Sequence, residues 1–196
     1  MCSNKTSMDT RKDIYLWLLD HSRIDNSYGF ENTELMARIY ASWAVNQGIL
    51  PNWMGLDPEI FMSMMEYHFP DYDLDAVPNP GHSLDLSRAP ESDDLLQLLM
   101  QSRTHSNQSE MWMAQILVAG CMGSNHLWQD LGLWSRDDLS RLMRCNFQLL
   151  SLSNNRDMKW KKFLYKQLCA AEGVYVCRAP SCEVCTDYQD CFGPED

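Results

Sequence analysis

The sequence predicts an all-α protein: a single helical domain of six or seven helices that ends in a cysteine-rich metal-cluster loop. Three observations lead there. Apolar residues recur at helical spacing along most of the chain, as in Leu35, Met36, Ile39, Tyr40 and Trp43. The alternation of apolar and polar residues that marks a half-buried strand is almost absent. Four cysteines crowd into Cys177–Cys191, in a stretch with few bulky apolar residues to build a core of its own. With 196 residues, 45% of them hydrophobic, the chain is long enough to bury a sizeable core as one domain. We divide it into a helical body over 1–172 and a cysteine-rich tail over 173–196, packed on the last helix.

Residues 9–21 read as a first helix, with Ile14, Trp17 and Leu18 on one side. A loop around 26–30 precedes a second helix that Asn32 or Thr33 can cap, and Gly48 is placed to stop it. Asp57-Pro58-Glu59 is a helix start: a capping carboxylate, proline at the first helical position and an acid in the first turn. Residues 70–92 form the one long irregular connection, punctuated by Pro70, Pro78, Pro80 and Pro90. Its Asp71, Asp73 and Asp75 invite a calcium-loop reading, which fails. Position six of that loop is Ala76 rather than glycine and position twelve is His82 rather than glutamate.

Ser92 or Asp93 opens the next helix, through Leu95 and Leu99, and another runs from Ser109 to Met122. The small residues Ala119, Gly120 and Gly123 near its end suit close packing. Ser135 with Asp138 resembles a capping box before Leu139, Leu142 and Met143. The last helix spans roughly 155–171 and stops at Gly173. It collects Trp160, Phe163, Leu164, Leu168 and Ala171 on one face and Lys159, Lys162 and Lys166 on the other.

Charge bounds the partners. A net charge of −11 argues against nucleic acid. The acids are concentrated between Asp57 and Asp94, where ten face a single base, Arg88. Between Arg156 and Lys166 five bases face Asp157 alone. No apolar run reaches the length of a membrane span, and no hydrophobic signal region precedes Cys2. We therefore expect a cytoplasmic protein, in which thiols stay reduced and clustered cysteines bind metal more often than each other.

The closing cysteines are spaced C-x4-C-x2-C-x5-C, through Cys177, Cys182, Cys185 and Cys191. Two disulfides, a zinc site and an iron–sulfur-type cluster compete for that pattern. Protein zinc sites usually take two close pairs separated by a longer span, whereas here only Cys182 and Cys185 are two residues apart. The first three cysteines reproduce the run of plant-type ferredoxins, whose fourth ligand lies much further along the chain. A compact loop around one multinuclear cluster fits the spacing best, with zinc the alternative. A tail so poor in apolar residues needs a staple, and metal–ligand bonds supply one. We expect it to be ordered when filled and loose when empty.

Other side chains are candidates of lower standing. Cys121 and Cys145 lie among apolar neighbours and read as small buried hydrophobes. Cys169, eight residues before Cys177, could face a cluster. His126 could be a further metal ligand or a proton donor, or a structural histidine at a helix junction. The Lys159, Lys162 and Lys166 face could attract an oxyanion or an acidic partner, or be a solvated helix face. No phosphate-binding glycine loop, H-E-x-x-H or dinucleotide fingerprint occurs, so an ATP-driven or hydride-transferring enzyme is poorly supported.

Three runs carry a resemblance. They are Asp157-Met158-Lys159-Trp160-Lys161-Lys162-Phe163, the stretch His126 to Leu133, and Cys177-Arg178-Ala179-Pro180-Ser181-Cys182 through to Cys191-Phe192-Gly193-Pro194. Together they closely resemble the NifQ family of nitrogen-fixation accessory proteins, over roughly residues 111–196. The resemblance implies a carrier rather than an enzyme, holding a molybdenum–iron–sulfur cluster on Cys177, Cys182, Cys185 and Cys191. It implies donation of molybdenum for the nitrogenase iron–molybdenum cofactor, with the cofactor scaffold complex and the nitrogenase iron protein as recipients. An iron–sulfur electron-transfer protein and a structural zinc module are the rival readings.

Overall fold

The computed structural model describes residues 10–22, 29–73, 89–171 and 188–193. Among these the protein is all-helical, as predicted, with no strand. Seven helices have ten or more residues: α1 (Arg11–Asp20), α2 (Gly29–Ala44), α3 (Pro58–His68), α4 (Ala89–Gln101), α5 (Gln108–Cys121), α7 (Arg136–Asn146) and α9 (Trp160–Ala171). Three short ones join them: α6 (Leu127–Asp130), α8 (Gln148–Ser153) and α10 (Tyr188–Phe192).

The core is built on α5 and α2: α5 is apolar on nearly every side and must be surrounded, and α2 buries most of its length. In α5, Trp112, Met113, Ala114, Ile116, Leu117, Ala119 and Cys121 are all buried. In α2, Leu35, Met36, Ile39, Tyr40, Ala41 and Trp43 are buried likewise. Helices α3, α4 and α6 pack on α5, α1 and α7 on α2, and α9 lies on α4. Gly120 lets α6 approach: a Cβ there would stand 2.7 Å from the Leu131 side chain.

Caps fix several of the boundaries. Asn107 accepts from Glu110 N at 2.9 Å, while the buried Glu110 carboxylate accepts from the backbone of Asn107 and His105. Asp57 caps α3 through Glu59 N. Ser135 caps α7 through Asp138 N at 3.2 Å. The Asp138 carboxylate accepts not from the cap's own N–H but from Trp134 N, one residue earlier, at 3.2 Å. It forks onto the Arg38 guanidinium at 2.8 and 2.9 Å, tying α7 to α2.

Four boundaries differ from the sequence reading. Helix α2 begins at Gly29, so Asn32 and Thr33 lie inside it and are buried instead of capping it. Asn32 exchanges two hydrogen bonds with the buried Asn146 of α7, at 2.6 and 2.7 Å. Thr33 bonds His68 Nδ1 at 2.8 Å. Helix α4 starts at Ala89, within the stretch expected to be irregular, and puts Pro90 in its first turn, where a missing N–H costs nothing. Helix α5 starts one residue before Ser109, with Asn107 as its cap. Helix α9 starts at Trp160 rather than near 155, because Asp157 has φ 56° and breaks the helical path. The Asn154 side chain closes the turn ahead of it, bonding both the N–H and the carbonyl of Met158.

Gly48 serves packing more than helix termination. Its φ is +84°, and a Cβ would stand 2.8 Å from the Asp130 carbonyl oxygen, which accepts from Ile49 N at 3.0 Å.

Candidate metal-cluster site

Helix α9 carries the tail, so its seating decides where the cysteines are presented. Trp160, Phe163 and Leu164 are buried and Leu168 is half-buried, the face expected from the periodicity. Lys162 and Lys166 are exposed and Lys159 is half-buried. Sequence reasoning missed Lys161, on the flank of the apolar face. Its ammonium pairs with Asp130, whose side chain is fully buried, and donates to the Gly123 carbonyl at 2.8 Å. Asp130 accepts two more bonds, from Asn125 N and Asn125 Nδ2, each at 3.1 Å. A buried carboxylate needs this full set, and it locks the first turn of α9 to the α5–α6 connection.

The tail leaves α9 after Ala171 and returns as α10 to the opposite end of the same helix. There Lys159 N donates to the Cys191 carbonyl at 2.8 Å, and Lys159 Nζ donates to the Gln189 carbonyl at 3.2 Å. The Arg156 guanidinium lies 5.5 Å from the centre of the Phe192 ring. Cys191 and Phe192 are half-buried against the main core. Residue Cys191 is thus held at the N-terminal end of a helix, beside Lys159 and near Arg156, where partial and full positive charges favour an anionic ligand set.

Of the four predicted ligands, Cys191 is the one the described residues include; Cys177, Cys182 and Cys185 lie outside them. Among the described residues no three His, Cys, Asp or Glu side chains converge on a metal position. Cys169 is half-buried in the last turn of α9, about 15 Å of helix rise from Lys159, which holds Cys191. None of Cys121, Cys145, Cys169 and Cys191 is in a disulfide. Cys121 is fully buried and Cys145 half-buried. His126 stands at the start of α6, its N–H donating to Gln129 Oε1 at 3.2 Å, which is the helix-junction position.

Among the described residues His68 is the most deeply buried histidine. His68 is 1% exposed, with Nδ1 on Thr33 at 2.8 Å and Nε2 on the Ser109 hydroxyl at 3.0 Å. Burial pushes its pKa down to about 4, so the ring is neutral. With Asn32 and Asn146 these residues form a polar seam joining α2, α3, α5 and α7, whose job is structural. A shallow cleft opens beside α10, lined by Ser153, Asn155, Arg156, Lys166, Gln167 and Phe192 among others.

No helix among the described residues is long and apolar enough to cross a membrane. No solved structure matches the chain. Protein NifQ of Azotobacter vinelandii is 41% identical over 170 residues, covering 82% of this chain and 87% of that protein. Protein NifQ of Klebsiella pneumoniae is 33% identical over 166 residues, covering 80% of this chain and 96% of that protein. The sequence profile of the NifQ family matches residues 35–193, a span that holds the helical body from α2 onward and all four closing cysteines. With Cys191 seated at the foot of α9 inside that span, and relatives alike over most of both chains, the chain belongs to the NifQ family.

Proposed function

We propose that this protein holds a molybdenum–iron–sulfur cluster on Cys177, Cys182, Cys185 and Cys191. It hands the molybdenum on for assembly of the nitrogenase iron–molybdenum cofactor, as an accessory carrier in nitrogen fixation rather than an enzyme. Its recipients are the cofactor scaffold complex and the nitrogenase iron protein. The observation that carries this reading is membership of the NifQ family across a span that includes the full four-cysteine motif.

The chemistry is consistent with it. Thiolates are soft donors suited to iron–sulfur clusters. A cluster held by four thiolates is anionic, and Lys159 and Arg156, which contact Gln189 and Phe192 on either side of Cys191 in the chain, would oppose that charge. The cargo must also leave. A tail with few bulky apolar residues, carried on a helical body, releases it more readily than a site buried in a core.

Anaerobic purification with quantification of molybdenum, iron and zinc, visible absorption and a transfer assay tests the reading. The expected result is a coloured protein containing molybdenum and iron. Replacing the four cysteines by serine removes both metals, and transfer of molybdenum with them. A colourless chain with one zinc would make the tail a structural zinc module. A coloured, molybdenum-free chain cycling reversibly between two states would make it an electron carrier.

A further inference from the structure

Helix α8 exposes apolar surface that the fold does not need. Leu150 is buried and Phe147, just before it, is fully buried, so the helix is already anchored inward. Leu149 and Leu152, three residues apart on one outward face, are 72% and 68% exposed. They are the two most exposed large hydrophobic side chains among the described residues. A six-residue helix gains nothing in folding from such a pair.

The surroundings of this pair are basic. From Leu139 to Arg156 the sequence contains Arg141, Arg144 and Arg156 and no acid, within a chain of net charge −11. Arg141 is used internally, on Glu34 of α2 at 2.8 Å. Arg144, Arg156 and Lys166 meet no carboxylate among the described residues, and all three are exposed. Arg144 lies in the last turn of α7, just before α8 in the chain; Arg156 and Lys166 line the cleft that Ser153 of α8 also lines. Phe192 forms part of the same cleft, next to Cys191.

We infer that this face of α8 is a docking site for a partner protein whose contact surface is apolar at its centre and acidic at its rim. Leu149 and Leu152 supply the dry centre, and Arg144, Arg156 and Lys166 the complementary rim. A surround of bases with no acid from Leu139 to Arg156 disfavours a two-fold contact with a second copy of this chain, which would bring like charges together. The inference deepens the carrier reading and rests on it for the identity of the occupant: a recipient docked here lies alongside the end of the cysteine loop.

The experiment compares wild type, the double variant Leu149→Ser/Leu152→Ser, and Arg144→Glu. These positions are exposed and lie outside the cluster-holding tail, so each variant is expected to match wild type in thermal unfolding and in molybdenum and iron per chain. Binding to the purified scaffold complex and to the nitrogenase iron protein is measured by interferometry at low and physiological salt. Metal-loaded and metal-free forms are both used. The leucine variant is expected to bind one of the two at least about tenfold more weakly, through faster dissociation. Arg144→Glu is expected to slow association, with a smaller salt dependence. Unchanged affinity in the leucine variant, or absence of wild-type binding to either protein, overturns the inference. So does a dimer of wild type in sedimentation that the leucine variant abolishes. Failure to load molybdenum would sink the carrier reading instead, and the metal-free binding measurement reads the docking face independently of it.

Discussion

Replacing Lys161 by methionine tests the anchoring of α9 most directly. The substitution keeps the length and most of the volume of the side chain and removes its charge. Asp130 is fully buried and accepts from Lys161 and twice from Asn125, so the variant leaves a buried carboxylate with two amide donors and no counter-charge. Breaking a buried pair from one side costs about 3–5 kcal/mol, and the surviving amide bonds place this case near the lower end, about 3 kcal/mol. For a chain of this size that is a fall of about 6–12 °C in melting temperature. Urea unfolding and calorimetry on the purified chain measure it. Removing both charges with Asp130→Asn/Lys161→Met should recover much of the loss, because no ion is then stranded. A loss below about 1 kcal/mol in the single variant, or a double-variant cost equal to the sum of the singles, would refute the view that this pair fixes the helix.

Three further outcomes are expected. The native His68 pKa of about 4 lies below the ordinary value of 6.5, so below pH 6.5 the unfolded chain takes up a proton that the folded one refuses. Stability should therefore fall as pH drops from 6.5 to 4, by about 3 kcal/mol from this group, and the comparison with His68→Gln in urea titrations isolates it from the carboxylates. Gly48→Ala should cost about 1–3 kcal/mol, since it combines a left-handed φ of +84° with a Cβ 2.8 Å from the Asp130 carbonyl; equilibrium unfolding reads it. Stripping metal from the loaded protein should make the segment 172–196 a preferred site of limited proteolysis while the helical body stays intact, and equal digestion in both states would contradict the staple argument.

What could be read from the sequence divides by how local its cause is. The buried face of α9 was legible because Trp160, Phe163, Leu164 and Leu168 repeat at helical spacing, and that repeat is itself the cause of the burial. Ser135 was legible as a cap because its partner, Asp138 N, is three residues away. Asn32 and Thr33 have the same capping chemistry, yet they serve residues 35 to 114 positions distant, and one sequence carries no mark of such pairings. The hydrogen bonds they gain in the core outweigh the cap they could have formed, so the helix runs on past them to Gly29. His68 was opaque for the same reason. Lys161 was hidden by its neighbours, since a fifth base in a basic run looks like solvated charge until Asp130 is found facing it. At the site, the cysteine spacing leads to an expectation of metal, but nothing local told that Cys191 returns to the start of α9. That return depends on Lys159 and Arg156 meeting a segment about 30 residues further on.

The charge distribution ties the body to the site. A chain of net charge −11 would repel an anionic cluster and an acidic recipient alike if charge acted as a single sum. It does not, because screening confines each charge to about 8 Å at physiological salt. Only nearby groups count, and from Leu139 to Lys166 seven bases face Asp157 alone. Two of the seven, Arg141 and Lys161, are consumed by Glu34 and Asp130, and Asp157 is held by Arg136 at 2.7 Å. What is left is Arg144 in the last turn of α7, and Arg156, Lys159, Lys162 and Lys166 along α9 and the turn that leads into it. The internal ion pairs therefore orient the helix, while the remaining cations are the ones free to act on the proposed cluster and the proposed partner. Mutations at Lys161 should accordingly appear first as lost stability, and mutations at Arg144 as altered association with a partner in a fully folded protein.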